Sequence, residues 1–304
     1  AIIIDLVFGE PPIKFHPTVW MGRTIAFLKT KFKSKNAKIE KLNGVFMAII
    51  TISLFTIIIY LLLLLIRYYL GYVVYLIISI IILKTTFAIK SMEQHTIPIM
   101  ESIESGNLPK ARKYVSLIVS REVSKLNEKQ VISATIESIA ENIVDGITSP
   151  FFYYAFFGIP GAIAYRVINT LDSMVGYKDE EHMNIGWFSA KIDMIANYIP
   201  ARLTAITMII ASFLLGKDYK NAWKILLRDK DKVGNPVSGW TMSAMAGALG
   251  VKLEKPAHYV LGDPMNELRV EHILDALKIM KLTSMLFLVL IFVLSFIYNM
   301  LVSL

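Results

Sequence analysis

Cysteine is absent from all 304 residues, which excludes disulfides, zinc–thiolate sites and cysteine nucleophiles. Several familiar signatures are missing as well. There is no G-x-x-x-x-G-K-[ST], no G-x-G-x-x-G, no H-E-x-x-H and no G-x-S-x-G, so no known phosphate loop, zinc helix or nucleophile elbow can be read. No internal repeat and no low-complexity linker divides the chain. The net charge of +8 comes without the interleaved aromatics or fold pattern of a nucleic-acid binder, so nucleic acid is not an expected partner. The opening "AIIIDLVFGEPP" reads as the tail of an apolar helix that starts before residue 1 and is stopped by Gly9 and two prolines. It lacks the basic n-region of a signal peptide.

What the chain has is apolar length. It is 55% hydrophobic, with a mean hydropathy of +0.55, high for a soluble protein. Residues 44–66 and 282–304 are each 23 residues without a charge. At ~1.5 Å per residue either run crosses a hydrocarbon core of roughly 30 Å. Residues 72–89 form a further candidate. Residues 146–165 are uncharged but interrupted by "GIPG", and 195–216 span only if "MIANYIPA" is included. The expected fold is all-α: a polytopic integral membrane bundle with five or six membrane segments plus cytoplasmic helices, organised as one domain over 1–304.

The lysine-rich stretch "KTKFKSKNAKIEK", 29–41, follows the positive-inside tendency and marks the cytoplasmic side. The polar helical segment 90–145 and the loops 10–43 and 217–281 are expected on that face. A re-entrant or deeply packed 146–165 would bring the remaining polar blocks to the same side. The expected location is the cell membrane, with several passes through the bilayer and the active face cytoplasmic. "GNPVSGWTMSAMAGALGV", 234–251, is so rich in small residues that it suits close helix packing better than lipid, and 252–281 reads as soluble helix and loop.

The polar residues are grouped. In "SATIESIAENIVDGITSPFF", 133–152, Glu137, Glu141 and Asp145 recur every four residues, drifting about 40° per step and sharing one helix face. No lysine sits four residues away to neutralise them. A solvated acidic face is the plain reading, and a bound cation the economical alternative. Hard oxygen ligands suit magnesium, which favours one or two carboxylates plus phosphate, so the three are candidate metal ligands, with Asn142 beside them.

"AYRVINTLDSMVGYKDEEH", 164–182, puts Arg166, Asn169, Thr170 and Ser173 on one face with Asp172 at its margin. An Arg at membrane depth must face protein or water. It is either half of a structural Arg–Asp pair or part of an anion site with Lys178. "KIDMIANYIPAR" sets Asp193 and Asn197 at i, i+4 with Arg202 beyond a proline. "GNPVSGW" contributes Asn235 and Trp240 from a turn-rich loop, and "FHPTVWMGR" contributes His16 and Arg23. A lone His such as His16 is more often a structural hydrogen-bonder than a catalyst.

Together, "DLVFGEPPIKFHPTVWMGRTI", "ESIAENIVDGITSPFFYYAFFGIPGAIAYRVINTLDSMVGYKDE" and "GNPVSGWTMSAMAGALGVKLEKPAHYVLG" resemble, in order and from about residue 5 to 265, three blocks of the adenosylcobinamide-phosphate synthase (CobD/CbiB) family of cobalamin biosynthesis. The resemblance implies an ATP-dependent ligase that joins a propionate carboxylate of adenosylcobyric acid to aminopropanol phosphate or ethanolamine phosphate. It implies ATP as co-substrate and magnesium bridging its phosphates at Glu137, Glu141 and Asp145. Arg166, Lys178 and Arg202 would offset phosphate charge, and Asp172 or Asp193 would take a proton from the incoming ammonium. Substrate contacts would extend to His16, Arg23, Asn142, Asn169, Asn197, Asn235 and Trp240. Other membrane enzymes of cobamide assembly are possible partners.

Two other readings stand beside this one. Broken helices with charges at membrane depth also suit a transporter or binding protein for corrinoid precursors, though no inverted repeat is visible. A scaffold for other pathway enzymes would tolerate Glu141→Gln and Asp172→Asn, whereas catalysis would not.

Overall fold

The computed structural model describes residues 1–302 apart from Ile13 and Phe15. Phe15 of the opening motif, and Ser303 and Leu304 of the last apolar run, therefore lie outside the described residues. The helices, in chain order, are α1 (Ile2–Phe8), α2 (Pro17–Phe32), α3 (Ala37–Tyr69), α4 (Gly71–Lys84), α5 (Ile89–Glu104), α6 (Leu108–Val115) and α7 (Glu128–Ile143). After a π-helical turn, Val144–Thr148, come α8 (Ser149–Val175), α9 (Trp187–Ala196), α10 (Tyr198–Leu214), α11 (Tyr219–Asp229), α12 (Ser238–Leu249) and α13 (Glu271–Val302). Strands β1 (Leu253–Lys255) and β2 (Tyr259–Leu261) precede α13.

Local sequence explains the boundaries. Asn36 opens α3 by accepting the amides of Lys38 and Ile39, and Asn127 and Gln130 form a reciprocal capping box at α7. Gly9 ends α1 at φ 69°, a conformation that costs glycine nothing. Gly158, two residues before Pro160, breaks α8 at φ 63° and ψ −157°, so the "GIPG" interruption is real.

Four stretches are long and apolar enough to cross a membrane: Ala37–Tyr69, Gly71–Glu104, Glu128–Val175 and Glu271–Tyr298. The shorter pair α9 and α10, bent by 44° at Asn197, passes the same test only when the two are taken together, as a broken span or a re-entrant loop. The chain is thus an all-α polytopic membrane protein. Its lipid-facing surface is plainest on α3, where Ile57, Ile58, Leu61 and Leu65 are exposed. Exposed Tyr68, Tyr69 and Tyr72 cluster where α3 turns into α4, as aromatic rings do at a bilayer interface.

The chain divides into two compact units, each built from two separate stretches: residues 1–88 with 149–197, and 89–148 with 198–304. In the first, α2, α3, α8 and α9 pack on one another. Met21, Ile25, Met47, Ile163, Val167, Leu171 and Ile185 form its core. In the second, α12 packs against α7, α10 and α11 and is buried on nearly every side.

Small residues make that central position possible. A Cβ at Gly247 would lie 2.7 Å from the Cα of Ala222 and from the carbonyl oxygen of Asn221. Both are backbone atoms, which cannot swing aside, and Asn221 Nδ2 also donates to the Gly247 carbonyl at 2.8 Å. Gly247→Val is therefore expected to destabilise the protein by about 1–3 kcal/mol or more. A thermal melt in detergent indistinguishable from the parent would contradict this packing.

The stretch 252–281, read from sequence as helix and loop, instead begins with a hairpin. Its register pairs Leu253 with Leu261, Glu254 with Val260 and Lys255 with Tyr259. The turn places Ala257 at φ 61°, and strands of three residues leave almost no periodicity to read.

Candidate active site

The second unit has a half-open polar cavity of about 120 Å³, bordered by residues 118–121, one face of α7, Met242 of α12 and the hairpin. Glu137 is its fixed point. Buried to 4% exposure, it accepts hydrogen bonds from Ser133 Oγ at 2.6 Å, Tyr259 Oη at 2.8 Å and Arg121 Nη2 at 3.1 Å. The hairpin is pinned to α7 by the Glu254 amide, which donates to Ser133 Oγ at 2.8 Å. Ser138 Oγ, donating to the Ile118 carbonyl at 2.9 Å, holds the arginine-bearing segment. Burial, reinforced by the carboxylates of Glu137 and Glu141, pushes the Tyr259 phenol well above its usual range. It therefore stays protonated and donates.

Around this anchor the lining is mixed in charge. Arg121 Nη1 is buried with no acceptor. Lys255 and Glu141 also face the cavity.

The acidic stripe is only partly gathered here. Glu137 and Glu141 line the cavity and Asp145 does not. The α-helix ends at Ile143, and Asp145 belongs to the π turn, so the four-residue spacing no longer keeps it on one stripe. Among the described residues no three His, Asp or Glu side chains converge to hold a metal. The three-carboxylate magnesium set expected from the spacing is therefore not assembled, and Glu137 is already neutralised by Arg121. Asn142, next to Glu141, donates to the Ser138 carbonyl at 2.9 Å and braces the helix.

Elsewhere in the second unit, Arg202 and Trp240 do meet. The guanidinium lies 3.4 Å from the Tyr198 ring centroid and 4.6 Å from that of Trp240, with Lys230 Nζ 5.8 Å from the Trp240 ring. Asn235 accepts the Val237 amide at 2.9 Å and shapes the turn leading into α12.

Nearby, Asp229 is fully buried. It accepts from Arg228 at 2.7 and 2.8 Å and from the Gly262 amide at 2.8 Å, and pairs with Lys232 at 2.6 Å. Burial alone would raise its pKa, but these donors outweigh it and hold the carboxyl at about 2. A folded-state value below the unfolded one stabilises above the unfolded value and ceases to as pH falls through the folded one. The Asp229 contribution is thus expected to vanish between about pH 4 and pH 2. Melts of Asp229→Asn against the parent should converge across that window; a gap that persists at its acid end would contradict the assignment.

In the first unit, His16 caps α2, its Nδ1 accepting the Thr18 amide at 3.2 Å. Its Nε2 lies 2.9 Å from Glu10. Glu10 also pairs with buried Lys84 at 2.8 Å, and Asp5 with Lys84 at 3.3 Å. Burial would raise the Glu10 carboxyl, but His16 and Lys84 overcome this and lower it.

Asn197 is fully buried, accepting from Ser149 at 2.6 Å and Tyr165 at 2.9 Å and donating to Asp193 at 3.0 Å. Asp193 and Asn197 thus belong to a buried knot at the end of α9. Arg166 Nη1 donates to Asn169 at 3.3 Å. Thr170 and Ser173 bond back to their own helix, a common use of hydroxyls inside helices. Asp172 is half-buried, while Arg23 and Lys178 are exposed.

Three residues central to the cavity escape sequence reasoning. Arg121 lies sixteen positions before Glu137, in a loop without periodicity. Lys255 and Tyr259 sit on the hairpin, within a quoted block but with no spacing that singles them out.

Comparison with known proteins gives a consistent picture. A sequence model of the family described as CobD/Cbib protein matches residues 1–288. A protein of Methanothermobacter thermautotrophicus named probable cobalamin biosynthesis protein CobD is 42% identical over 94% of this chain and 93% of its own. One of Dehalococcoides mccartyi, named cobalamin biosynthesis protein CobD, is 39% identical over 88% and 86%. One of Thermoplasma volcanium, named probable cobalamin biosynthesis protein CobD, is 40% identical over 100% and 98%. No solved structure matches.

Proposed function

The chain belongs to the CobD/Cbib family, and from that premise we propose that it is an adenosylcobinamide-phosphate synthase of cobalamin biosynthesis. The observation that carries this reading is the family match over residues 1–288. A polar, mixed-charge cavity in an otherwise apolar bundle supports it.

A carboxylate is a poor electrophile. ATP would transfer its γ-phosphoryl group to a propionate oxygen of adenosylcobyric acid, giving an acyl phosphate and ADP. The amine of aminopropanol phosphate or ethanolamine phosphate then attacks the acyl carbon. A C–N bond forms, the C–O bond to phosphate breaks, and inorganic phosphate leaves. Before attack the ammonium must lose a proton, and a carboxylate in hydrogen-bond reach is the usual acceptor. Glu141, which lines the cavity beside Glu137, is the candidate for that role. Glu137 would then be a positioning residue for Arg121. Magnesium enters as part of the nucleotide co-substrate, and no protein-held metal is required.

The test is purified protein in detergent with ATP, magnesium, adenosylcobyric acid and either amine phosphate, following product by mass. Amide that forms only with ATP supports the ligase. Tight corrinoid binding without product would favour a transporter or scaffold.

The reading also places the protein in the cell membrane with its working face cytoplasmic, where ATP is, and within reach of other cobamide-assembly membrane enzymes. Because the chain has no cysteine, Lys178→Cys provides a single label site. We expect it to react with an impermeant maleimide only when the cytoplasmic side is accessible; labelling from the outer side alone would overturn this orientation.

A further inference from the structure

The corner between α2 and α3 carries more positive charge than its own carboxylates neutralise. Residues 29–41 hold six lysines, Lys29, Lys31, Lys33, Lys35, Lys38 and Lys41, against one glutamate, Glu40. Lys33 pairs with the buried Glu40 at 3.5 Å, and Lys29 reaches Glu181 at 2.5 Å. The other four lysines are exposed and make no ion pair among the described residues. Two of them lie beside aromatic rings instead: Lys31 Nζ is 5.8 Å from the Phe27 ring centroid, and Lys41 Nζ is 6.0 Å from that of Trp187.

The corner has a fixed shape. Asn36 caps α3, and Asn43 Nδ2 donates to the Phe32 carbonyl at 2.8 Å, tying α3 to the end of α2. Apolar side chains are interleaved with the lysines, since Phe27, Ile39, Leu42 and Phe46 are all exposed. Topology asks only for lysines on one side of the membrane; it does not ask for exposed phenylalanine and leucine among them. Depth supplies the reason. The uncharged run of α3 begins at Gly44, and at ~1.5 Å rise per residue Lys41 and Lys38 sit ~5 Å and ~9 Å beyond it. The headgroup layer is roughly 5–8 Å thick on each side of the hydrocarbon core. The lysines therefore stand at the level of lipid phosphates, with Leu42 and Phe46 at the acyl boundary. The lipid-facing surface of α3 runs into the corner through the exposed Ile49 and Ile50.

We propose that the α2–α3 corner is a docking surface for anionic phospholipid. Headgroup phosphates are gathered by Lys31, Lys35, Lys38 and Lys41, while Phe27, Leu42 and Phe46 enter the acyl boundary. Clusters of four or more basic side chains next to a membrane span are suited to anionic headgroups. The occupant is the lipid leaflet and not a soluble phosphate, because a free anion would use the lysines yet leave the apolar side chains between them in water. The surface does not depend on the ligase reading or on the cavity at Glu137.

The experiment uses the full chain with one fluorophore attached through Thr30→Cys, the protein having no other cysteine. Thr30 is exposed beside Lys31, and its hydroxyl bonds only back to its own helix, at the Phe27 carbonyl. The labelled protein is placed in phosphatidylcholine nanodiscs containing increasing fractions of brominated phosphatidylglycerol or brominated phosphatidylcholine, and quenching is followed. Each lysine near an anionic surface favours it about fivefold. Phosphatidylglycerol should therefore reach half-maximal quenching at a ~10-fold lower fraction than phosphatidylcholine, allowing for four lysines that do not all engage at once. The combined variant K31Q/K35Q/K38Q/K41Q should bring the two lipids together, and K31R/K35R/K38R/K41R should keep them apart. A control of equal net charge, K110Q/K113Q/K125Q/K220Q, removes four exposed lysines outside this corner and should behave as the parent.

Equal quenching by the two lipids in the parent would overturn the proposal. A preference that survives K31Q/K35Q/K38Q/K41Q would do the same, and a preference lost equally in the control would trace it to bulk charge and not to this corner. Inorganic phosphate is added at constant ionic strength as the last arm. If it abolishes the preference, the corner is a site for free anions and the lipid assignment is wrong; an unchanged preference supports the leaflet.

Discussion

Glu137→Ala is expected to leave little folded protein. Glu137 is buried and receives Arg121, Ser133 and Tyr259. Its removal leaves a buried guanidinium without its carboxylate, a change that costs about 3–5 kcal/mol. Against a total stability of about 5–15 kcal/mol, that is enough to cut the yield of folded protein sharply.

The double substitution Arg121→Met with Glu137→Met removes both charges together. It should recover most of the lost stability, because apolar replacement of a buried pair is often neutral or favourable. It should not recover amide synthesis, since the guanidinium is then missing from the cavity. Thermal melts of the single and double variants check both halves. A single variant as stable as the parent would mean that the pair does not anchor the hairpin to α7.

Glu141→Gln is expected to behave in the opposite way. Glu141 is exposed, so the melt should shift little. Loss of a proton acceptor typically costs 10²–10⁴-fold in rate, and amide formation should fall by about that much. The contrast between the two glutamates, one read out in stability and the other in turnover, is what separates a positioning carboxylate from a reacting one. A Glu141→Gln enzyme within a few-fold of parental turnover would move the proton acceptor elsewhere; if no substrate turnover exists at all, the scaffold reading gains.

The features legible in the sequence were those set by composition and by single special residues. Uncharged runs such as 44–66 marked α3, because burial in lipid needs length and the absence of charge, both of which are written one-dimensionally. Gly158 and Pro160 announced the break in α8. The small residues of 234–251 announced close packing, and the contacts of Gly247 show why nothing larger fits there.

The cavity was only half legible. Glu137 and Glu141 stood out because they share a helix face with no nearby lysine. The partner of Glu137 is Arg121, and pairing across sixteen residues and a loop follows from the fold rather than from spacing. Asp145 was misgrouped because a π turn, Val144–Thr148, follows α7, and nothing in "ENIVDGITS" distinguishes that turn from a continued α-helix. Asp193 and Asn197 were correctly read as neighbours. Their partners Ser149 and Tyr165 come from α8, and these make the group a structural knot at the end of α9.

The most direct test of the account uses adenosylcobyric acid carrying ¹⁸O in its reactive carboxylate, incubated with the purified protein, magnesium ATP and ethanolamine phosphate. Activation through an acyl phosphate sends one carboxylate oxygen out with the departing phosphate. The account predicts amide product together with inorganic phosphate bearing a single ¹⁸O. Amide formed with unlabelled phosphate, or labelled corrinoid bound and recovered unchanged, would contradict it.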